Sequence, residues 1–300
     1  MKPQIRCYYW GENRPLVNLG DSLVPLIFDA LGYTCVSRFV ENNRVVNPGR
    51  CLLVIGSLLT HNDLAAIGYP VDVWGCGWKG SSLVTSHWEG MKIHAVRGPH
   101  SVKSLQLPSN MAVGDPALLL PHLVSLPIAP HGKTLVIPHC FRIRTFSASH
   151  RCAQTGCDEV LSPMILATPW RRTSWKTLAS ILYQYGRFGL KTLTQQKALC
   201  RIAGAKFVLT GSLHGAILAQ AFGVPWAAYN DGYVNAPAKW QDWAAYLGID
   251  IQLAHTLEDG ETWWRRQGRH GKVATLGALL RAFPYEIINP RITSLANELD

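Results

Sequence analysis

The strongest constraint on the fold of this chain is a repeated pattern in which a short apolar run ends in a glycine-containing loop. Cys51–Ile55 is continuously apolar and is followed by Gly56 and Ser57. A strand without polar residues is typical of a parallel sheet that is covered on both faces. The pattern occurs again after Val71–Trp74, Ile93–Val96 and Met111–Val113. In an open α/β sheet, ligands bind at this end of the strands.

A second series of alternating strands and helices fills the other half of the chain. Its predicted strands are 134–138, 159–161, 206–210 and 224–229, and its predicted helices are 174–185, 194–203, 213–222, 237–247 and 272–282. Residues 116–133, between the two series, contain four prolines and show no regular periodicity. We therefore predict an α/β protein with two doubly wound, Rossmann-like lobes that face a cleft. The lobes are residues 1–120 and 134–300, joined by a linker at 121–133.

The composition indicates a large core and an anionic partner. Apolar residues make up 48% of the 300 residues and charged residues only 16%, which excludes a disordered chain. The 29 lysines and arginines outnumber the 19 acidic residues and leave a net charge of +10. Such an excess favours a phosphorylated small molecule, an anionic membrane surface or nucleic acid. Because the cations occur in short scattered groups, nucleic acid is not expected.

The sequence offers no signal for secretion, a membrane span or a zinc framework. Residues 1–15 contain no apolar stretch of signal length, and the longest apolar stretches, 51–59 and 216–229, are too short or too interrupted to cross a bilayer. The eight cysteines form no pair of CxxC motifs, and no Asp-x-Asp sequence is present. We expect a cytoplasmic protein that uses no metal and keeps most of its cysteines reduced.

The segment 207–222 carries the most informative pattern for function. A buried strand ends at Thr210, turns through Gly211 and Ser212, and leads directly into a helix. Ser212 is a favourable N-cap, which places His214 in the first helical turn beside unpaired backbone N–H groups. Such a helix start binds phosphate or carboxylate, and an imidazole there can donate to the anion or transfer a proton. The alternative is a histidine that only packs against the loop.

Several motifs occur in an order that resembles one enzyme family. They are Asn18-Leu-Gly-Asp21, Arg97-Gly-Pro, Gly114-Asp-Pro, Pro138-His139 and Ser212-Leu-His-Gly215. The resemblance covers about residues 16–230 and is to the polysaccharide pyruvyl transferases, most of all those acting on bacterial exopolysaccharide repeat units. It implies a glycosyltransferase-B-like fold, phosphoenolpyruvate as donor and a sugar hydroxyl pair as acceptor. The products would be a pyruvate ketal and inorganic phosphate, with no further cofactor.

One position departs from the pattern of the family. Many members have Arg-Leu-His-Gly where this chain has Ser212-Leu-His-Gly215. A guanidinium at that place would bind the phosphate or carboxylate of the donor in a bidentate manner. Either Ser212 and the helix amides suffice, or another arginine provides the charge. Arg97, Arg142 and Arg144 are candidates because each follows a predicted strand.

The residue chemistry and the resemblance together give candidates for three roles. His214 is the first candidate for proton transfer, because ketal formation protonates the methylene carbon of the donor and deprotonates two hydroxyls. Asp115 is a candidate base. The donor-binding candidates are Arg97, His139, Arg142, Arg144, Ser212 and Gly215, and the acceptor-binding candidates are Asn18, Asp21 and Trp78.

Structural roles compete with these assignments. Asn18 and Asp21 fit the N-cap and the acidic first turn of a helix. Asp115 fits a turn that leads into the linker. Arg97 can be an ordinary surface arginine, and His139 can be a hydrogen-bonded structural histidine.

Tryptophans are mixed with positive charge at Trp170–Lys176 and Trp263–Arg266. This mixture suits a membrane interface or a polyprenyl-diphosphate carrier. We therefore expect a lipid-linked oligosaccharide acceptor and peripheral contact with the anionic inner face of the cytoplasmic membrane. Helix packing with solvated arginines is the alternative.

Two other functions compete with pyruvyl transfer. A nucleotide-sugar glycosyltransferase of the same fold would need a ribose-binding carboxylate in the second lobe, and no glutamate follows His214 before Glu258. A non-catalytic relative that binds anions or sugars is the second, since Ser212 replaces the arginine of the family.

Overall fold

A computed structural model of the protein describes residues 2–11, 14–37, 45–80, 89–166, 174–191, 193–274 and 276–300. Residues 170–173 of the tryptophan-rich segment, for which we predict a membrane or lipid-carrier contact, lie outside the described residues.

The strands form two parallel sheets and a short ribbon. They are β1 (Gln4–Tyr8), β2 (Leu16–Asn18), β3 (Thr34–Ser37), β4 (Cys51–Leu53), β5 (Val71–Trp74), β6 (Lys92–Val96), β7 (Ala112–Val113), β8 (Thr134–Ile137), β9 (Glu159–Val160), β10 (Met164–Leu166), β11 (Phe207–Thr210), β12 (Trp226–Tyr229) and β13 (Leu253–Ala254). The first sheet has the order β3-β1-β4-β5-β6-β7, and the second has the order β13-β12-β11-β8-β9. All pairings within these two sheets are parallel.

Helices connect the strands and cover the sheets. They are α1 (Leu19–Leu31), α2 (His61–Ile67), α3 (Pro99–Ser104), α4 (Leu120–Leu123), α5 (Ala148–Thr155), α6 (Trp175–Gly186), α7 (Gln195–Ala203), α8 (Leu213–Ala221), α9 (Pro237–Leu247), α10 (Leu257–Arg266), α11 (Leu276–Arg281) and α12 (Pro290–Glu298). Parallel strands joined by helices confirm the predicted α/β class with two Rossmann-like lobes.

The continuous apolar runs of the sequence become the central strands. Every residue of β4, β5, β8, β11 and β12 is buried. This burial on both faces explains why β4, β8, β11 and β12 lack the alternation of polar and apolar residues that a half-exposed strand shows, whereas β5 buries Asp72 between two valines. It also leaves only the loops at the strand ends free to present polar side chains to a ligand.

An antiparallel ribbon joins the two lobes beside α1. β2 pairs with β10, with Val17 opposite Ile165. The backbone N–H of Leu19 donates to the carbonyl of Pro163 over 2.7 Å. The start of α1 is therefore held against the second lobe.

The last helices of the chain return to the first sheet, although the sequence placed residues 134–300 in the second lobe. The indole N–H of Trp74 donates to the carbonyl of Leu279 over 2.8 Å, and the Tyr285 hydroxyl donates to Asp72 over 2.6 Å. Leu279 is completely buried. The boundary cannot be read from periodicity, because an amphipathic helix fits any sheet that offers an apolar surface.

The cysteines follow the expectation with one exception. Six have free thiols, and Cys7 and Cys35 form a disulfide between the neighbouring strands β1 and β3. Across the part of the chain that the structure describes, no helix is both long and apolar enough to cross a bilayer.

Candidate functional site

The carboxyl ends of four strands meet at a cavity of about 210 Å³ between the lobes. β4 and β6 approach it from the first sheet, and β8 and β11 approach it from the second. The residues that line it are Trp10, Asn18, Asp21, Gly56, Ser57, Leu58, Asp63, Lys79, Arg97, His139, Cys140, Phe141, Ser212, Leu213, His214, Asn235 and Lys239. The cavity thus lies at the sheet edge where the glycine-containing loops predict ligand binding.

His214 spans the boundary between the lobes. It is the second residue of α8, which begins after the N-cap Ser212, and the Ser212 side chain makes no capping hydrogen bond. The imidazole packs on Gly20 of α1, where a β-carbon would collide with Nδ1. Nε2 lies 3.6 Å from Oδ2 of Asp115. A side chain from the second lobe is therefore positioned by two residues of the first.

Asp115 is completely buried behind His214 and does not line the cavity. The backbone N–H of Ala117 donates to its Oδ1 over 3.0 Å, which caps the short 3₁₀ helix Pro116–Leu119. Its Oδ2 has no hydrogen-bond partner among the described residues and faces Nε2 of His214. The carboxylate therefore has the turn-capping role, and its second oxygen lies where it can orient the imidazole.

Asp21 brings a carboxyl group into the cavity from the first turn of α1. Burial raises its pKa from 3.8 to about 6, against the opposing effects of His214, a backbone hydrogen bond at Trp10, and Lys239. Asn18 lines the same wall, and its side chain caps α1. A carboxyl group whose pKa lies this close to neutrality is suited to proton transfer.

His139 follows β8 and is buried at the opposite wall. The backbone N–H of Phe141 donates to its Nδ1 over 3.3 Å. The carboxamide of Asn235 is 3.1 Å from Nε2. Burial and the nearby charge of Lys239 lower the pKa of His139 to about 4. The ring is therefore neutral at pH 7 and offers hydrogen bonds rather than charge.

Arg97 lines the cavity at the end of β6, although it is completely buried. Its guanidinium donates to the hydroxyl of Ser57 over 2.9 Å and lies 3.5 Å from the carboxylate of Asp242 in α9. The hydroxyl of Ser101 donates to the same carboxylate over 2.7 Å. The charge of Arg97 thus already has an acidic partner from the other lobe.

Besides Asp115, four predicted residues do not line the cavity. Arg142 donates to the backbone carbonyl of Asp231 over 3.2 Å. Arg144 lines a neighbouring groove. The indole of Trp78 packs against the apolar cluster around β4 and β5. Gly215 lies inside α8, where a β-carbon would collide with the end of β11. The structure therefore separates these residues from Arg97, His139 and Ser212, which do reach the wall.

Sequence reasoning missed several cavity residues, of which Lys239 is the most notable. Lys239 stands one turn before Asp242, and these are the only two charged residues of α9. A lone lysine and a lone aspartate on an otherwise uncharged helix were the sequence signal that could have identified Lys239 as a candidate site residue. Asp63 and Asn235 come from a short helix and a loop, whose approach to the cavity depends on the path of the chain.

The second tryptophan-rich segment is part of the core. Trp263 is 4% exposed, and its ring centroid lies 5.4 Å from that of Trp226. Trp264 also packs against the core, whereas Arg265 and Arg266 are exposed. Helix packing with solvated arginines is therefore the correct interpretation of 263–266.

Two solved structures are similar to the chain. A protein from Klebsiella pneumoniae subsp. pneumoniae NTUH-K2044, described as uncharacterized, has 17% identity and a TM-score of 0.45, covering 84% of this chain and 93% of that chain. AviGT4, a glycosyltransferase involved in avilamycin A biosynthesis, has 10% identity and a TM-score of 0.36, covering 99% and 96%. Neither score establishes a shared fold, so the architecture rests on the strand order given above.

Sequence comparison gives a sharper result. The succinoglycan biosynthesis protein ExoV of Rhizobium meliloti (strain 1021) is 25% identical over 252 residues, covering 83% of this chain and 66% of that protein. The chain thus spans slightly less than two thirds of the length of this relative. The family model described as polysaccharide pyruvyl transferase matches residues 18–232. That match includes α1, Arg97, Asp115, His139 and the start of α8, and it shows that the chain belongs to the polysaccharide pyruvyl transferase family.

Proposed function

We propose that this protein transfers the pyruvyl group of phosphoenolpyruvate to two hydroxyls of a sugar in an exopolysaccharide precursor, forming a ketal and releasing phosphate. The observation that carries the proposal is the position of His214, which lines the cavity between the lobes with the buried carboxylate of Asp115 behind it. The family match supports the reaction class.

The reaction needs groups that both give and take protons. One hydroxyl attacks the central carbon of the donor while its methylene carbon gains a proton, and phosphate then leaves as the second hydroxyl closes the ring. Of the two protons lost by the hydroxyls, one equivalent ends on the new methyl group and one leaves with phosphate. His214 and Asp21 line the same cavity and interact electrostatically, so they can divide this work.

The donor's anionic groups would be held by the second lobe. The first-turn amides of α8 lack partners within the helix, and Ser212 at its start lines the cavity with its side chain outside the helix cap. Arg97 adds positive charge from the opposite side. Positive charge at the leaving phosphate stabilises the transition state. The acceptor sugar would lie against Asn18 and Asp21 at the start of α1.

Purified protein tests the reaction directly. Phosphoenolpyruvate and a panel of simple galactosides, glucosides and mannosides should give phosphate release together with a mass gain of one pyruvate less one water on one of the sugars. Titration with phosphoenolpyruvate and with nucleotide sugars provides the comparison. Binding of a nucleotide sugar with no binding of phosphoenolpyruvate would identify a glycosyltransferase, and donor binding without any turnover would favour the non-catalytic relative.

We propose further that the acceptor is lipid-linked and that the protein touches an anionic membrane through α6. Trp175 is 76% exposed and Tyr183 is 69% exposed on this helix, and Leu182 is exposed beside them. Lys176 stands next to Trp175 and adds positive charge. Flotation with vesicles containing anionic lipid should show salt-sensitive binding that a W175S/Y183S variant loses. Equal flotation with neutral vesicles would contradict the electrostatic part.

A further inference from the structure

Lys239 is a cation in the cavity whose ammonium group forms no ion pair with any described residue, although the carboxyl group of Asp21 is near enough to interact with it. It lies in the first turn of α9, is partly buried and lines the cavity. Its backbone N–H donates to the carbonyl of Ala236 over 3.0 Å. Among the residues that the structure describes, its ammonium group makes no hydrogen bond and no salt bridge. An ammonium group that is partly removed from water without a partner is costly, and an anionic ligand removes that cost.

The other cations near the cavity differ from Lys239 in this respect. Arg97 lies 3.5 Å from the carboxylate of Asp242. Arg142 lies outside the cavity beside Asp231. Lys79 lines the cavity but is exposed to solvent, where an ion pair contributes little. Positive charge is thus available to a ligand mainly at Lys239.

The charges around Lys239 favour the binding of an anion. Burial and the charges of Arg97 and Lys79 lower its pKa to about 8, while Cys140 and Asp21 act in the opposite direction. Arg97 and Lys79 are thus cationic neighbours that oppose the charge of Lys239, the ring of His139 is neutral, and Asp21 is the carboxylate that favours that charge. A small phosphate monoester or carboxylate would relieve the repulsion between these cations.

We propose that Lys239 is the main counter-charge for the anionic group of the donor, in a cavity where α8 supplies a serine instead of a guanidinium. The inference rests on the proposed function. A single ammonium is a compact charge with three rotatable donors, so it can follow the phosphate as the bond to carbon breaks. The helix amides at Leu213 and His214 would fix the orientation that a bidentate guanidinium would otherwise impose.

Calorimetric titration of four proteins tests this assignment: wild type, K239M, K239R and the control K103M, which changes an exposed lysine of α3 that does not line the cavity. Phosphoenolpyruvate, inorganic phosphate and pyruvate are titrated separately. Loss of a charge-assisted hydrogen bond should weaken phosphoenolpyruvate binding about 10- to 100-fold in K239M. K239R should keep most of the affinity, and K103M should bind like wild type.

The two smaller ligands separate the possible failures. A K239M defect shared with inorganic phosphate places Lys239 at the phosphate, and a defect shared with pyruvate places it at the carboxylate; either result supports the assignment. If K239M binds all three ligands like wild type, Lys239 has no such role while the proposed reaction stands. If wild type binds inorganic phosphate through Lys239 but not phosphoenolpyruvate, the proposed donor fails and the anion site stands. No binding of any ligand by wild type would overturn both.

The K239M substitution is not expected to destabilise the protein. Because Lys239 is partly buried without a partner, its replacement by methionine should leave the melting temperature unchanged or higher. Thermal unfolding of each variant, followed by circular dichroism, verifies that a loss of affinity arises at the cavity.

Discussion

His214 and His139 stand at the carboxyl ends of neighbouring strands, β11 and β8, and both line the cavity between the lobes. Their surroundings differ. His214 faces the carboxylate of Asp115 at 3.6 Å and interacts with that of Asp21. His139 has a backbone N–H and a carboxamide as neighbours and lies near the ammonium of Lys239.

The difference shows that one sheet edge can give two identical residues different chemical surroundings. Burial and the nearby ammonium of Lys239 lower the pKa of His139, whereas His214 has two carboxyl groups beside it. His214 is therefore suited to carry a proton through the reaction, and His139 is suited to hold a substrate group as a neutral hydrogen-bonding ring.

Matched substitutions give the largest test of this comparison. H214Q should lower kcat by about 10²- to 10⁴-fold, which is the usual contribution of a positioned proton-transfer group. H139Q should mainly raise KM and leave kcat within about tenfold, because a neutral hydrogen bond is worth about 1 kcal/mol. Phosphate release under saturating substrates measures both. If H139Q loses more kcat than H214Q, the two roles are reversed.

Removal of the charge behind His214 should have the next largest effect. D115N keeps an oxygen to cap Ala117 and loses the negative charge that faces Nε2. Because this charge supports the group that transfers the proton in the proposed reaction, we expect a drop in kcat of about 10- to 100-fold with little change in KM. A KM effect without a kcat effect would mean that Asp115 acts on binding and not on the imidazole.

The carboxyl group of Asp21 should appear in the pH profile. Its pKa of about 6 predicts that kcat/KM falls as pH drops through 6, because the protonated acid cannot accept a proton from a hydroxyl. The fall should persist in H139Q and disappear from the residual activity of D21N. A profile of H139Q that is flat between pH 5 and 7 would assign the titration to His139.

The same two groups should give opposite pH dependences of stability. Asp21 titrates at about 6 in the folded protein and near 3.8 when unfolded, so its contribution to stability is lost as pH rises from about 4 to 6. His139 titrates at about 4 when folded and near 6.5 when unfolded, so its contribution is lost as pH falls through that range.

Each variant should therefore gain stability over wild type at its own end of the pH range. D21N should gain up to about 3 kcal/mol above pH 6, and H139Q should gain up to about 3 kcal/mol near pH 4. Urea unfolding at pH 4, 5, 6 and 7 measures both differences. Parallel curves for wild type and D21N would show that burial does not perturb Asp21.

The sequence predicts the elements of this fold well and their contacts less well. Hydrophobic periodicity correctly predicts the positions of β5, β11, α7 and α9. The two strands lie inside covered sheets, and the two helices bury one apolar face, so each leaves a clear pattern in the sequence. The return of α11 and α12 to the first sheet was not predictable from local pattern. Their apolar faces fit either lobe, and the choice depends on partners such as Trp74.

The candidate site shows the same limit. His214, Arg97 and His139 could be selected because each follows a strand whose end is visible in the sequence. Lys239 could not, since its approach to the cavity depends on how α9 packs on α3, and no periodicity reports that. Arg142 and Arg144 also follow a predicted strand, but their guanidinium groups donate to the backbone carbonyl of Asp231 and to the side chain of Gln184 instead of lining the cavity.

The contact between His214 and Gly20 has a consequence for the side reaction of donor hydrolysis. The imidazole belongs to one lobe, while Gly20 and Asp115 belong to the other. If the lobes separate to exchange substrates, the proton-transfer group loses its acidic support at the same moment that bulk water enters. Under the proposed reaction, an open molecule that still holds phosphoenolpyruvate should therefore hydrolyse it slowly, and the donor is retained until a sugar binds.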